Sequence, residues 1–421
     1  MTFRFPSPRG DCQAAGVRVE YPRTGVRARH RRTRCENVPL RLLHLADLHL
    51  DRAFAGMGCH GDLARRRRQG LRDALRRAGG EAQRRDCQVV TIGGDLYEHE
   101  RAGPDTGRFL AETFAAWRPM RVVLAAGNHD ALLPGSLYAR TEWPDNVHLF
   151  TENRLRPLEL GDGLTLWGLS HREPAWMGDP LDCEPVGGDG GVHLALFHGS
   201  ELGSRPQDKS LHGPFRAGAV SMRGFAVALC GHYHRRRVDA EARLLYPGSP
   251  EPLAFDEESP RGPVVVEVDG TGLVSYEPLD LAAWTARTAE ADLGGCTSLT
   301  GVVDACCAVA AGAVEGCDAE RTLLRLHLSG ELAPEVAVDI PTVETCVREA
   351  TGAALVRARD LTLPGLDLEA SLADPTARGL FTRELLGAIE AAGVDDPERA
   401  VLADALRYGL EALAGVEVGL R

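Results

Sequence analysis

"LAAGNHDALL" (residues 124–133) runs as an apolar strand to Gly127 and then sets an amide, an imidazole and a carboxylate in a row: Asn128, His129 and Asp130. Gly, Asn and Asp all tolerate tight backbone geometry, so the stretch by itself could be an ordinary turn. What decides the fold is whether other apolar runs end the same way. They do. "LRLLHLA" (40–46) leads to Asp47 and His49, "CQVVTI" (87–92) to Asp95, "VHLALF" (192–197) to His198, and "FAVALC" (225–230) to His232 and His234.

These runs have strand length and are apolar on consecutive positions, which predicts strands covered on both faces. Similar runs lie at 121–126, 164–169 and 263–268, and between the first two strands "DLARRRRQGLRDALRRAGGEAQ" carries Leu63, Leu71, Ala74, Leu75 and Ala78 at helical spacing. The pattern predicts a layered α/β domain. In open α/β sheets the loops beyond the carboxyl ends of the strands converge on one crevice. Five strand ends delivering Asp, His and Asn to one edge therefore form a constellation.

Carboxylate, imidazole and amide ligands suit Mn, Fe or Zn, and the lack of Cys among them argues against a closed structural zinc site. Two metals ~3.5–4 Å apart can share a bridging carboxylate and hydroxide and clamp a phosphoryl group for in-line attack. Only Asp47 and Asp95 are anionic among these ligands. Two dications would keep about two positive charges to attract a phosphodiester. Gly94 and Gly127 allow the backbone to come close to the metals.

In the order D-x-H, GD, GNHD, H, GHxH, the chain resembles the calcineurin-like metallophosphoesterase superfamily over roughly residues 40–255. The resemblance implies a metallophosphoesterase β-sandwich flanked by helices. It implies one metal on Asp47, His49, Asp95 and His234, and a second on Asp95, Asn128, His198 and His232. His129 would be the general acid for the leaving oxygen, with Asp130 orienting its ring. "GDLYEHER" (94–101) lacks the GDxVDRG of the Ser/Thr phosphatases of this fold. Tyr97, "LRLLHLADLHLDRAF" (40–54) and "YPGSPEPLAFDE" (246–257) resemble the DNA-repair nucleases of the SbcD and YhaO type, although Glu98 stands where that branch usually has Asp. That branch implies a manganese-dependent DNA exo- or endonuclease acting on duplex ends or hairpins, with an SMC-like coiled-coil ATPase as partner and a homodimer as one possible assembly. The alternative is a phosphodiesterase or phosphatase for a small phosphorylated molecule.

The 421-residue chain has a formal net charge of −12, unevenly spread. Residues 1–37 hold nine Arg against three acidic residues and lack apolar periodicity, which predicts a disordered basic extension. Residues 281–421 hold eleven Arg against 23 acidic residues. An acidic total excludes a protein that grips nucleic acid by bulk charge alone. No run approaches the ~20 apolar residues of a bilayer span, and the eleven scattered Cys lack any CxxC pair; the expectation is a cytoplasmic protein without membrane contact.

The expected organisation is a nuclease domain at 38–280, a smaller α+β capping domain at 281–378 and a C-terminal helical pair at 379–421. Of the remaining features, Arg65–Arg68, Arg72, Arg76 and Arg77 read as a solvated helix face, or alternatively as a DNA-lining one. The apolar stripes Leu380, Phe381, Leu385, Leu386 and Val401, Leu402, Leu406, Leu410 either pack on each other or dock on the ATPase.

Overall fold

The computed structural model describes residues 39–415, apart from 162, 189, 204–209, 259, 273, 364, 394–395 and 414; the basic extension at 1–37 lies outside the described residues. The chain divides into two units, Met1–Ala286 and Arg287–Arg421.

In the first unit, strands β1 (Leu40–Leu45), β2 (Val89–Gly93), β3 (Arg121–Ala125) and β4 (Val147–Leu149) lie side by side in parallel. Next come β5 (Arg156–Gly161), β6 (Leu164–Gly168), β7 (Val192–His198), β8 (Val227–Gly231), β9 (Arg237–Asp239) and β10 (Leu244–Tyr246), which form a second sheet in the order β5-β6-β7-β8-β10-β9. Finally β11 (Val264–Val268) and β12 (Val274–Pro278) return antiparallel to complete the first sheet as β12-β11-β1-β2-β3-β4. The two sheets share one core, to which Leu42, Val123 and Val266 of the first contribute with Leu194, Leu196 and Leu229 of the second. The consecutive apolar positions predicted strands covered on both faces, and β2, β7 and β8 are buried along their whole length; the two packed sheets are the sandwich that the resemblance implies.

Helices flank the sandwich. α1 (Gly61–Arg84) buries Leu71, Ala74, Leu75 and Ala78 at the expected spacing and packs on β1. α2 (Pro104–Ala115) and the short α3 (Leu137–Arg140) follow β2 and β3. Beside the second sheet, α4 (Gly218–Met222) gives Val220 to a cluster with Phe197, Phe215, Phe225 and Trp176.

The arginines of α1 are only partly solvated. Arg67 is fully buried, its guanidinium 4.6 Å from the Phe54 ring centre and 4.7 Å from that of Trp284, and it donates to the Pro252 carbonyl. Its Nη1 lies 4.0 Å from Glu251 Oε2, while Arg77 binds Glu251 Oε1 at 2.6 Å and the Leu281 carbonyl at 3.0 Å. Glu251, also fully buried, accepts from the amides of Ala283 and Trp284. Arg72 is held by Asp105 and Thr106. This charged knot fastens residues 251–284 to α1, and a DNA-lining face on this helix is reduced to Arg65, Arg66, Arg68 and Arg76. Removing one partner of a buried ion pair strands the other charge. Glu251→Ala should therefore destabilise the protein by about 3–5 kcal/mol, read from urea unfolding midpoints. A loss under ~1 kcal/mol would show that water or relaxation compensates.

The second unit is α+β. β13 (Thr285–Asp292) begins at the unit boundary, and β14 (Thr322–Ser329) and β15 (Leu355–Asp360) complete a three-stranded sheet. α5 (Leu299–Ala313) and α6 (Ile340–Thr351) give Val302, Cys306, Val343 and Val347 to its core. Cys306 is thus a packing residue, in line with its Ala- and Val-rich surroundings. Three helices follow: α7 (Leu368–Ala373), α8 (Ala377–Ala391) and α9 (Pro397–Leu413). α8 and α9 pack together. Gly409 admits the Phe381 ring, a Cβ there falling 2.1 Å from it, and Leu406 and Leu410 are buried. Leu380 and Val401 stay 57% and 65% exposed, so the stripes only partly serve the helices' own contact.

Candidate metal centre

β1, β2 and β3 run parallel in one sheet and β7 and β8 in the facing one, so their carboxyl ends meet at a single edge. The loops there are stitched to one another through the backbone. Asp47 N donates to Gly94 O, His49 N to Asp95 O, Leu50 N to Leu96 O, Glu98 N to Leu50 O and His99 N to His129 O, all at 2.9–3.1 Å. Asp47, His49, Asp95 and His232 take φ of 54°, 49°, 52° and 117°, values that cost an L-residue energy and are common where surrounding structure over-determines a site. Gly127 cannot be replaced by a larger residue without displacement, because a Cβ there would lie 2.3 Å from Asp95 Oδ1.

Asp95 sits at the middle. Its Oδ2 lies 3.5 Å from His49 Nε2 and 3.4 Å from His198 Nε2, while Oδ1 accepts from the His129 amide at 2.9 Å. His198 Nδ1 faces the Gly93 carbonyl at 2.9 Å and must donate to it, which leaves Nε2 as a lone pair in the neutral ring. That lone pair points at two further oxygens, Asn128 Oδ1 at 3.0 Å and Asp95 Oδ2. His49 is arranged alike: Nδ1 meets Glu98 at 2.9 Å, and Nε2 is buried with no hydrogen-bond partner. Burial pushes the His49 imidazole down to about 4 against the pull of Glu98, and holds His198 well below its ordinary range. Burial opposes ionisation of Asp95, but the His198, His49 and His129 rings keep its carboxyl well below the usual range.

Neutral imidazole lone pairs and a carboxylate converging on one another repel unless a cation lies among them. This donor set fits divalent metal. Three clusters bring ligand atoms within 4.8 Å of one another: Asp47, His49 and His234; Asp47, Asp95 and His198; and His49, Asp95 and His129. Five of the sequence-derived ligand candidates, Asp47, His49, Asp95, His198 and His234, fall in these clusters, and Asn128 joins them through its Oδ1, 3.0 Å from His198 Nε2. His232 is outside these clusters: its amide donates to both Asp47 carboxylate oxygens, its ring lies 5.1 Å from that of His198, and its Nε2 is 3.1 Å from the Ser210 carbonyl. Donation to Ser210 puts Nδ1 in the acceptor form, so Nδ1 is the nitrogen that could ligate.

The expected role of Asp130 is corrected by the structure. Its buried carboxylate accepts from the amides of Gly127 (2.6 Å), Leu96 (2.7 Å) and Asp95 (3.2 Å) and from the Tyr138 hydroxyl (2.7 Å). Those four donors absorb both oxygens, and Asp130 ties the loops after β2 and β3 together. Glu98 instead meets the His129 ring, its Oε2 lying 2.9 Å from Nδ1. Although burial opposes it, this bond with the nearby carboxylates pushes His129 up to about 9.

Glu257 is a second carboxylate whose purpose was not visible in the sequence. It holds His234 Nδ1 at 2.7 Å and is itself bound by Ser249, the Leu253 amide and Arg261. Carboxylates behind imidazoles fix tautomer and ring orientation at metal sites. The only sequence signals were the position of Glu98 three residues after Asp95 and the distinctive stretch 246–257. His171 and Trp176 are buried, with His171 Nε2 donating to the His198 carbonyl at 2.8 Å; Trp167 is half-buried.

Residues 40–236 match the family model for calcineurin-like phosphoesterases. Over these residues the chain is similar to that family. The matched segment includes every candidate ligand from Asp47 to His234, whereas Glu257 lies beyond it. The chain is similar to an uncharacterized metallophosphoesterase, YhaO, of Bacillus subtilis, at 28% identity over 56% of this chain and 59% of that protein. It is also similar to the DNA double-strand break repair protein Mre11 of Methanopyrus kandleri, at 26% identity over 61% of this chain and 60% of that protein. The chain thus spans about six-tenths of the length of the curated relatives it matches. Among solved structures, TT1561 of Thermus thermophilus overlays with a TM-score of 0.34 at 13% identity, over 57% of this chain and 99% of that one. Among the described residues no helix is long and apolar enough to cross a membrane.

Proposed function

We propose that this protein is a two-metal phosphodiesterase acting on DNA. The observation that carries the reading is Asp95 Oδ2, set 3.4–3.5 Å from two imidazole nitrogens that need a cation and not a hydrogen bond. Asp47, His49, Asp95 and His234 would hold one metal; Asp95, Asn128, His198 and His232 would hold the other. Bound divalent cations, with Mn2+ suited to this oxygen and nitrogen set, would supply Lewis acidity and offset charge on the phosphoryl oxygens. His129 would protonate the leaving oxygen. It is exposed, anchored through Nδ1, and its Nε2 makes no hydrogen bond among the described residues.

Similarity to a DNA double-strand break repair protein favours DNA over a small phosphorylated molecule as substrate. The partly exposed apolar residues of α8 and α9, Leu380 and Val401, support docking on the coiled coil of an SMC-like ATPase. With Mn2+, the protein should digest end-labelled duplex DNA and also cleave bis-p-nitrophenyl phosphate. Cleavage of the small diester alone would overturn the DNA assignment. Failure on both with Mn, Fe and Zn would overturn the phosphodiesterase.

A further inference from the structure

Several arginines around the metal centre are tied to carboxylates: Arg236 to Asp280, Arg237 to Asp239 and Glu201, and Arg261 to Glu257. Arg52 differs. It lies in the loop after β1, and its amide donates to the His49 carbonyl at 3.1 Å. The preceding residue, Asp51, is held at φ 66° by the Thr106 hydroxyl and Arg72, so the loop is pinned where the arginine leaves it.

The Arg52 side chain is 30% exposed, and its Nη1 lies 3.3 Å from Glu98 Oε1. That oxygen also meets His49 Nδ1, at 2.9 Å. A guanidinium carries five N–H donors in a planar fork. One reaches Glu98, and the others have no hydrogen-bond partner among the described residues. The exposed His129 ring stands against the other oxygen of the same carboxylate. An unfilled, permanently charged fork thus sits beside the imidazole assigned to the leaving oxygen.

We propose that Arg52 grips the phosphate next to the scissile one, on the leaving-group side, and so selects a polynucleotide over a simple diester. The metals would meet the scissile phosphate, which leaves the fork for its neighbour. Groups beside the acid face the departing nucleoside, and in DNA that nucleoside carries the next phosphate. Arginine matches two phosphate oxygens at once, where lysine offers only a point charge. A chain of net charge −12 needs such a local cation to hold a polyanion. The inference rests on the phosphodiesterase reading, with His129 as the acid, and names the substrate feature that the site recognises.

The test compares the full-length parent with Arg52→Gln and Arg52→Lys on dithymidine monophosphate, with and without one further phosphate at its 5′ or 3′ end. For the parent, the phosphate at one end should raise kcat/KM by roughly 10–100-fold, the usual worth of a hydrogen bond to a charged group. Arg52→Gln should lose that gain, and Arg52→Lys should keep part of it. On unphosphorylated dithymidine and on bis-p-nitrophenyl phosphate all three should act alike. Binding of a labelled duplex in EDTA, followed by fluorescence anisotropy as salt is raised, reads the same contact without turnover. Loss of one phosphate contact should flatten the slope of log K against log salt by about 0.9.

A parent indifferent to the extra phosphate at both ends would overturn the proposal. So would Arg52→Gln losing Mn2+ affinity by calorimetry and slowing every diester equally, which would make Arg52 a support for Glu98 alone. If the parent cleaves no diester, the phosphodiesterase reading fails, and the salt slope then decides the phosphate contact: an unchanged slope overturns it.

Discussion

Asp95→Asn should leave the protein without either metal. The Asp95 carboxylate reaches toward both His49 and His198 through one oxygen, and the amide replacing it has neither the charge nor two acceptor atoms. Elemental analysis after dialysis against Mn2+ should find both sites depleted, not one. Because the metals supply several kcal/mol of charge stabilisation, hydrolysis of any diester should fall by roughly 10³-fold or more. The substitution keeps the side-chain volume, so a folded, metal-poor protein is the expected product. Two metals retained per chain would remove Asp95 from the bridging position.

His129→Ala should behave in the opposite way, keeping its metals and losing its rate. The His129 imidazole is carried to the mouth of the site by the loop after β3, and Nδ1 is spent on Glu98. A general acid contributes roughly 10²–10⁴ in rate, and that should be the loss on DNA or a dinucleotide. On bis-p-nitrophenyl phosphate most of the loss should vanish, since the leaving phenolate departs unprotonated. His49, Asp95 and His129 also bring ligand atoms within 4.8 Å of one another, so metal content is the discriminating measurement. Depletion of one metal in His129→Ala would make this residue a ligand and overturn its assignment as the acid.

The parts of the fold legible in the sequence were those with a local signature. β1, β2, β3, β6, β7, β8 and β11 are continuous apolar runs, because strands in the interior of a sheet covered on both faces have no polar side to show. The shortest strands and the edge strand β5 were not legible. β4, β9 and β10 are three residues each, and β5 alternates half-buried and exposed positions. The polar groups at strand ends were visible for the same reason as the strands: each follows an apolar run directly. Glu98 and Glu257 were not, because their purpose lies in contacts with rings 31 to 49 and 23 residues away respectively. Arg67 misled for a related reason. Four consecutive arginines look like a wet helix face, and nothing local announces that one of them is enclosed by Phe54, Trp284 and Glu251.

The left-handed backbone at Asp47, His49 and Asp95 has a consequence for how this protein would respond to selection. Each of these residues is held where glycine would be at ease, and each adds charge repulsion or an unanswered lone pair to the metal-free chain. Stability and function therefore pull in opposite directions at three positions within 49 residues. A library screened only for survival on heating, in the presence of a chelator, should accumulate Gly or Asn at 47, 49 and 95 and discard the metal site first. The same library screened with Mn2+ in the medium should keep all three, since bound metal adds to stability in proportion to the logarithm of its concentration over Kd.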